Sequence, residues 1–503
     1  MIRRGSSGLQ PDVGNSGGTV QYKNEQERTL MHDHKYKTLV GNTVLLSIGT
    51  FGSKLLTFLM VRFYTGVLTP ADYGTADLIM QTANLLIPLV SLGITNGVFR
   101  FALDRQEHRR SIFTIGFYTI LLGSLILPML LPLLFKSASL REYAELICAY
   151  TIASCLHSLC AQYIRAEGKT ALFAVQGILN TALVIGFNIL FLLVFRLGIL
   201  GYVMSVVAAD GICTVFLVFR ERLWKLWLPK PDGSLWKSML RYSIPLIPTT
   251  IFWWVTSVSD RYMVTYFLGS DANGLYAVAC KIPTVLTLLS TIFMEAWQFS
   301  AIEEATGERQ VHIQFYSQVW SAFMGAMVLA SSVIIVLSRL EIRLLSSARY
   351  YSAWQYIPTL TLAMLFSAFA SFMGSVYVVM EKSQLSLRTS IWGAGANIVL
   401  NLILIPRVGI QGAAVATFFS YFLCFTLRAI SARKLIPFTL FTPRLTGSTL
   451  LLVVQSLLSF FKNPAAPFGQ VVCLLILVLL NRTPFIQMLK QITQFGKNRR
   501  SKS

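Results

Sequence analysis

Charge is scarce in this chain: 13% of its 503 residues are Asp, Glu, Lys or Arg, against ~25% in a soluble globular protein. Acidic residues are the rarest, 22 against 43 basic ones, and there are only five histidines. The seven cysteines (Cys148, Cys155, Cys160, Cys213, Cys280, Cys424 and Cys473) form no CxxC pair and no metal-ligand cluster. All lie within or beside apolar segments, where a thiol packs as a small hydrophobe. No gap between apolar segments is large enough for a separate folded domain. These absences exclude a disulfide-stapled module, a zinc module and a soluble catalytic domain. The net charge of +21 raises the question of nucleic acid, but the basic residues are scattered through short loops instead of clustering on one module, so no nucleic-acid partner is expected.

What the chain has is hydrophobic length: 54% of its residues are apolar. A bilayer-crossing helix takes ~20 apolar residues, and hydropathy gives fourteen such stretches. They fall near 39–60, 75–98, 112–135, 143–164, 171–195, 198–219, 243–266, 272–298, 314–338, 355–379, 387–405, 409–427, 446–461 and 468–481. The last two are the shortest. The expected fold class is therefore an all-α integral membrane protein with about 14 transmembrane helices. Residues 1–38 are polar and Gly/Ser-rich, without an apolar core of signal-peptide length, and read as a disordered cytoplasmic tail.

Topology follows from the basic residues. With the N-terminus inside, Lys and Arg show a roughly threefold excess in the inner segments, which places both termini in the cytoplasm. The strongest inner segment, RERLWKLWLPKPDGSLWKSMLR from Arg220 to Arg241, divides the chain after six spans. Its three tryptophans among cations read as an amphipathic stretch on the membrane surface. The expected organisation is a bundle at 39–220, this linker at 221–242, a second bundle at 243–430, an extra pair at 431–485 and a basic cytoplasmic tail at 486–503.

The halves resemble each other. LTPADYG ending at Gly74 matches LGSDANG ending at Gly274, and Asn188 followed by GILG matches Asn397 followed by GIQG. The order is the same in both, as in a parallel duplication of six-helix bundles whose site lies at the repeat interface. On the second span Asp77, Gln81, Asn84, Pro88, Ser91 and Thr95 recur at helical spacing, and on the eighth so do Lys281, Thr284, Thr291, Glu295 and Gln298. The two stripes coincide under the shift that superimposes Gly74 on Gly274.

Such a stripe must face another helix or a water-filled cavity, because polar groups left in hydrocarbon cost several kcal/mol. Hydroxyls alone serve as helix glue. Charges point to a substrate or ion pathway. Lys281 and Glu295 share a face but stand roughly 21 Å apart along the axis at ~1.5 Å per residue, too far to neutralise each other. Lys54 and Asp210 are the other mid-span charges. Arg62, Arg100, Asp260 and Arg261 lie near span ends, where snorkelling accounts for a charge.

Two six-helix bundles plus a pair, the opening NTVLLSIGTFGSKLLTFLMVRFYTGVLTPADYG, the segment GLYAVACKIPTVLTLLSTIFMEAWQFSAIEE and the segment NIVLNLILIPRVGIQGAAVATFFSYF together resemble Wzx-type oligosaccharide flippases. These are the polysaccharide transporter branch of the multidrug/oligosaccharidyl-lipid/polysaccharide (MOP, MATE-like) exporters. The likeness covers about residues 39–430. It implies a V-shaped pair of bundles around a cationic cavity in the plasma membrane. Through that cavity an undecaprenyl-pyrophosphate-linked oligosaccharide would pass from the inner to the outer leaflet by alternating access, driven by a proton or sodium gradient and without other cofactor or metal. Other polysaccharide assembly proteins are the implied partners.

Lys54 and Lys281 sit where cavity cations are expected. With Arg62, Gln81, Asn84, Thr284 and Thr291 they form the substrate-binding set. A fixed cation attracts an anion several-fold more strongly in a low-dielectric cavity than in water. Asp210, Glu295 and Asp260 are the ion-coupling candidates, since a buried carboxylate takes up a proton more readily; they serve equally as counter-ions of the lysines.

Three other functions compete. A lipid II flippase shares carrier and mechanism. A multidrug exporter shares the architecture but calls for carboxylates and aromatics in its cavity, whereas here cations and carboxylates balance. A membrane glycan polymerase or transferase needs a catalytic constellation, commonly on a large outer loop; no outer loop here is long, and no spans share a His/Asp/Glu cluster suited to acid/base chemistry. The chain is therefore expected not to be an enzyme.

Overall fold

Within hydrocarbon the backbone must satisfy its own hydrogen bonds, which leaves helices as the simplest spanning element. The computed structural model describes residue 56 and residues 58–104, 108–134, 138–304, 309–380, 382–461 and 463–482. Among these residues every regular element is helical. A helix stands at each of the last thirteen hydropathy positions; of the first, 39–60, most lies outside the described residues, and the helix Phe58–Val67 stands at its end. Nine of the described helices are long and apolar enough to cross a membrane, or ten when the bent second span is counted as one.

Helices two to six of the first half are Pro70–Val90 with its continuation Ile94–Asp104, Arg109–Ser124 with Leu127–Leu134, Ala144–Ala166, Thr170–Ile189 and Gly198–Arg220. The second half comprises Ile247–Leu268, Ser270–Lys281 with Thr284–Glu304, Arg309–Leu345, Ile357–Val379, Ser383–Val408 and Ile410–Leu435. Thr442–Leu458 and Ala466–Arg482 are the final pair. The architecture is thus two parallel six-helix bundles plus a C-terminal pair.

Several helices run past the ends that hydropathy assigns, the ninth and twelfth by seven and eight residues. The ninth continues to Leu345 and the twelfth to Leu435, because Arg339 and Arg428 end an apolar run without ending a helix. Arg339 donates to the Ser459 carbonyl at 2.8 Å and lies over the Trp354 ring, 4.3 Å from its centroid. Both contacts keep the cation useful inside a packed helix.

The second span shows how sequence starts and bends a helix. Thr69 caps it in a reciprocal box with Asp72, each side chain taking the other's backbone N–H at 3.2 Å, and Pro70 occupies the first turn. Beyond Pro88, Leu92 and Gly93 adopt left-handed backbone conformations, φ 48° and 64°. The axis turns there by 53°. The linker helix Gly233–Ser243, capped by Asp232, packs on the bent continuation and buries Leu235 and Met239. Trp236 stacks on Tyr118 at 6.4 Å, while Trp224 and Trp227 remain half-exposed on its outer side.

The halves meet where the repeat is most visible. Gly74 of the second span and Gly274 of the eighth lie against each other: a Cβ on Gly74 would collide with the Ser270 carbonyl and the Gly274 nitrogen, and one on Gly274 with the Pro70 carbonyl. Asn273 seals the crossing by donating to the Gly74 carbonyl at 2.8 Å. Beside it, Tyr350 donates to the Leu68 carbonyl (3.1 Å) and Ser347 donates from both Oγ and N to Thr65 (2.6 and 3.1 Å). One end of the molecule is thereby shut.

The final pair docks on the ninth helix through buried amides. Ser332 donates to Gln455 (2.9 Å), Gln455 to the Gln470 carbonyl (3.1 Å), and Gln470 to Ser459 (3.0 Å). In hydrocarbon such bonds hold helices too short and too weakly patterned to find their place by apolar packing alone.

Gly74→Val or Gly274→Val is expected to cost at least the ~1–3 kcal/mol typical of overpacking. Size-exclusion after a heating series in detergent should show a lower melting temperature for either, and an unchanged one for Gly177→Val, where a Cβ meets open space.

Candidate functional site

Four charges gather where the second, seventh and eighth helices meet. Asp77 is buried on the second helix, and Arg261 of the seventh donates from Nη1 to its Oδ2. This ion pair joins the two halves of the repeat. Lys281, at the end of the first segment of the eighth helix, faces Asp77 and Arg261. Asp260, 3% exposed, accepts from the Tyr276 hydroxyl, from Thr417 Oγ1 (3.2 Å) and from the Arg261 backbone N–H (2.9 Å). Further contacts zip the same seam: Thr82 to the Tyr262 hydroxyl at 2.7 Å and Trp254 Nε1 to the Gln81 carbonyl at 3.2 Å.

Behind Asp260 runs a chain of amides. Asn401 Nδ2 donates to Asn397 Oδ1 (2.9 Å), which also accepts from Ser259 (3.1 Å), while Asn397 Nδ2 reaches Thr417 Oγ1 at 3.5 Å. Asn397 and Asn401 are fully buried, and the Asn401 side-chain oxygen has no hydrogen-bond partner among the described residues. One acceptor of this chain of amides is thus left unused.

Next to this cluster a cavity of about 530 Å³ opens inside the second half. Asp260 and Arg261 lie in its wall, Thr284, Thr287 and Thr291 of the eighth helix line one side, and Ser367 of the tenth lines another. The break at Ile282 and Pro283, between the segments Ser270–Lys281 and Thr284–Glu304, separates a lysine on the seam from hydroxyls in the cavity. On this helix Thr284 donates back to the Lys281 carbonyl and Thr291 to the Thr287 carbonyl at 2.8 Å, while Thr287 donates to Met364 Sδ of the tenth helix at 3.9 Å. Their lone pairs remain available to a guest.

A second buried polar cluster occupies the first half. Asp210, 6% exposed, accepts from Ser154 Oγ, from Asn180 Nδ2 (2.8 Å) and from His157 Nδ1 (3.1 Å); His157 Nε2 meets Gln176 Oε1 at 2.7 Å. It ties together the fourth, fifth and sixth helices.

The other sequence candidates distribute as follows. Thr284 and Thr291 line the cavity. Lys281 and Gln81 lie on the seam, while Asn84 is exposed one turn beyond Gln81. Arg62 is exposed and donates to the carbonyls of Arg343 (3.2 Å) and Ser346, capping the end of the ninth helix. Lys54 lies outside the described residues, as does the side chain of Glu295. Arg261, placed by sequence near a span end where snorkelling would suffice, is buried with Asp77 opposite it, and Asp260 beside it is buried as well. Asn401, Thr417 and Arg428 escaped the sequence reading. Asn397 and Asn401 carried a signal, two amides one turn apart on an apolar helix; Arg428 carried none, because it fell just past an apolar run.

A family model described as "Polysaccharide biosynthesis protein" matches residues 39–298. An uncharacterized membrane protein of Methanocaldococcus jannaschii is 25% identical over 180 residues, 35% of each chain, so the chain matches about a third of that relative's length. Among solved structures, the lipid II flippase MurJ in an inward closed conformation aligns with a TM-score of 0.67 at 16% identity, covering 89% of this chain and 99% of that one. A Vibrio cholerae MATE transporter aligns at 0.55 and 16%, covering 79% and 97%. An inward-facing MATE transporter of the MOP superfamily aligns at 0.58 and 13%, covering 78% and 98%. At these identities the likeness is one of fold.

Removing one partner of a buried ion pair strands the other charge, at a cost of about 3–5 kcal/mol, whereas replacing both is far cheaper. Asp77→Leu and Arg261→Met are each expected to lower the melting temperature sharply, and the double variant to recover most of the loss. Additive losses would mean that the two side chains are energetically independent.

Proposed function

The chain belongs to the polysaccharide biosynthesis protein family, and from that premise we propose that it is a flippase for a lipid-linked oligosaccharide carried on undecaprenyl pyrophosphate. The observation that carries this reading is the cavity of about 530 Å³, lined by many Thr and Ser hydroxyls and bordered by the charged seam. A sugar presents many hydroxyls, and a wall of Thr and Ser side chains can exchange hydrogen bonds with them in any rotation. A cavity for a lipophilic cation would instead favour aromatic faces and unpaired carboxylates.

In the orientation with both termini cytoplasmic, the shut end at Gly74 and Gly274 is the outer one. The cavity then faces the inner leaflet of the plasma membrane, where a lipid-linked glycan is assembled. Lys54 and Lys281 serve the pyrophosphate or acidic sugars, with Gln81, Asn84, Thr284 and Thr291 along the route and Arg62 at its outer end. Opening outward requires parting Asp77 from Arg261 and separating the two glycines.

The energy for that step is drawn from a coupling ion. Asp260 is the favoured coupling residue: with Thr417 and the side-chain oxygens of Asn397 and Asn401 it offers hard ligands of the kind that suit sodium, and the partnerless Asn401 oxygen supports a cation there. Asp210 and Glu295 are the further coupling candidates. Neutralising charge at Asp260 would release Arg261 from one of its anions and weaken the seam. Binding and opening would then be linked through adjacent residues of one helix.

In cells lacking the chain, surface glycan should fall and its lipid-linked precursor should accumulate on the inner leaflet. Asp260→Asn should fail to restore export while still reaching the membrane, and Lys54→Ala with Lys281→Ala should do likewise. Normal glycan with accumulated peptidoglycan precursor would move the cargo to lipid II, and normal export by the double lysine variant would end the anion-binding assignment.

A further inference from the structure

The charges of the seam balance: Asp77 and Asp260 against Arg261 and Lys281. Arg428 does not belong to that account. It lies on the twelfth helix, Ile410–Leu435, seven residues from its end. Its guanidinium is held by neutral groups alone: Nε donates to Thr389 Oγ1 (3.1 Å), Nη1 to the Ala370 carbonyl (3.0 Å), and Nη2 to Ser390 Oγ (3.1 Å) and Ser386 Oγ (3.3 Å). No carboxylate among the described residues lies within ion-pair distance of it. Four of five N–H groups are thus fixed by the tenth and eleventh helices, and the second hydrogen of Nη1 is left over.

Its surroundings are shaped for the cation. A Cβ at Gly374 would come within 2.9 Å of Nη1, so the tenth helix leaves room there only by having glycine. Beside the guanidinium is a small hollow of about 30 Å³, lined also by Ser390, Gly393 and Cys424. Trp253, Ser367, Ser371 and Tyr421 line both this hollow and the large cavity. The hollow itself admits one small group; the cavity next to it admits the rest of a guest.

Arg428 is partly buried within an apolar helix, and a cation placed there without a counter-ion is costly, a cost that neutral dipoles repay only in part. Arginine also stays charged where lysine would lose its proton, and its planar fork fits an oxyanion. We propose that Arg428 is the floor of an oxyanion subsite at one end of the cavity, which takes a phosphate group of the lipid-linked cargo. Its four neutral bonds fix the fork, and the cargo supplies the missing negative charge. The inference rests on the reading that the cargo is anionic. An acidic sugar carboxylate is the other source of the same chemistry.

The test uses the full chain in phosphatidylcholine nanodiscs, with tryptophan fluorescence as readout because Trp253 borders both hollows. Farnesyl diphosphate, neutral farnesol and glucuronate are titrated separately. Wild type is expected to bind farnesyl diphosphate at least tenfold more tightly than farnesol, and Arg428→Gln to lose that preference. Arg428→Lys should retain part of it. Should Arg428→Gln fail to fold, Gly374→Ala displaces the fork with its charge intact and is expected to weaken diphosphate binding severalfold. Arg428-dependent binding of glucuronate in place of the diphosphate would keep the subsite and reassign its guest to the sugar. Equal diphosphate preference in wild type and both variants would overturn the subsite while leaving the anionic cargo standing. Absence of any preference for either anion in wild type would overturn both.

Discussion

Backbones of two helices can touch only where neither carries a side chain, and the crossing of Gly74 with Gly274 is the contact on which the rest of this structure is set. It fixes the register of the second helix against the eighth. The seventh helix, joined to the eighth through Gly269, then brings Arg261 opposite Asp77 and Tyr262 against Thr82. A shift by one residue along the second helix would turn Asp77 away from the guanidinium of the seventh and leave two charges stranded in hydrocarbon. Sterics and electrostatics therefore specify the same arrangement, one by what cannot fit and the other by what cannot be left alone.

The duplication has diverged in chemistry more than in form. In the first half, Asp210 is enclosed by Ser154, His157 and Asn180, so its bonding capacity is well used. In the second half, the corresponding interior holds the large cavity, and the amides behind Asp260 retain an unused oxygen. One bundle gathers its helices around a well-bonded polar cluster, while the other holds a cavity beside its own. The polar stripes of the second and eighth helices, which superimpose in sequence, separate along the same line: Asp77 and Gln81 lie against the seventh helix, whereas Thr284 and Thr291 line the cavity.

Much of this was legible in the sequence. The fourteen apolar stretches, the repeat and the glycines that mark it, the two stripes and the amphipathic linker all rest on local periodicity, and local periodicity survives folding because the bilayer forces each span to be a helix. Partners across the fold were not legible. Arg261 reads as a span-end cation until Asp77 is seen beside it, and that pairing joins residues 184 positions apart. Arg428 and Arg339 were lost because hydropathy stops at a charge, while a helix supplied with partners for that charge continues. The cap that Arg62 places on the ninth helix depends on where that helix ends, and so was hidden with it.

The docking of the final helix pair carries a mechanical consequence. Ser332, Gln455, Gln470 and Ser459 bolt that pair to the ninth helix, a member of the second bundle, with Arg339 as a further rivet. Whatever rotation the second bundle makes, the pair makes with it, as ballast fixed to one jaw. Any motion between the two bundles then leaves the pair in place on the second one, and its extent is set by the twelve helices of the bundles themselves.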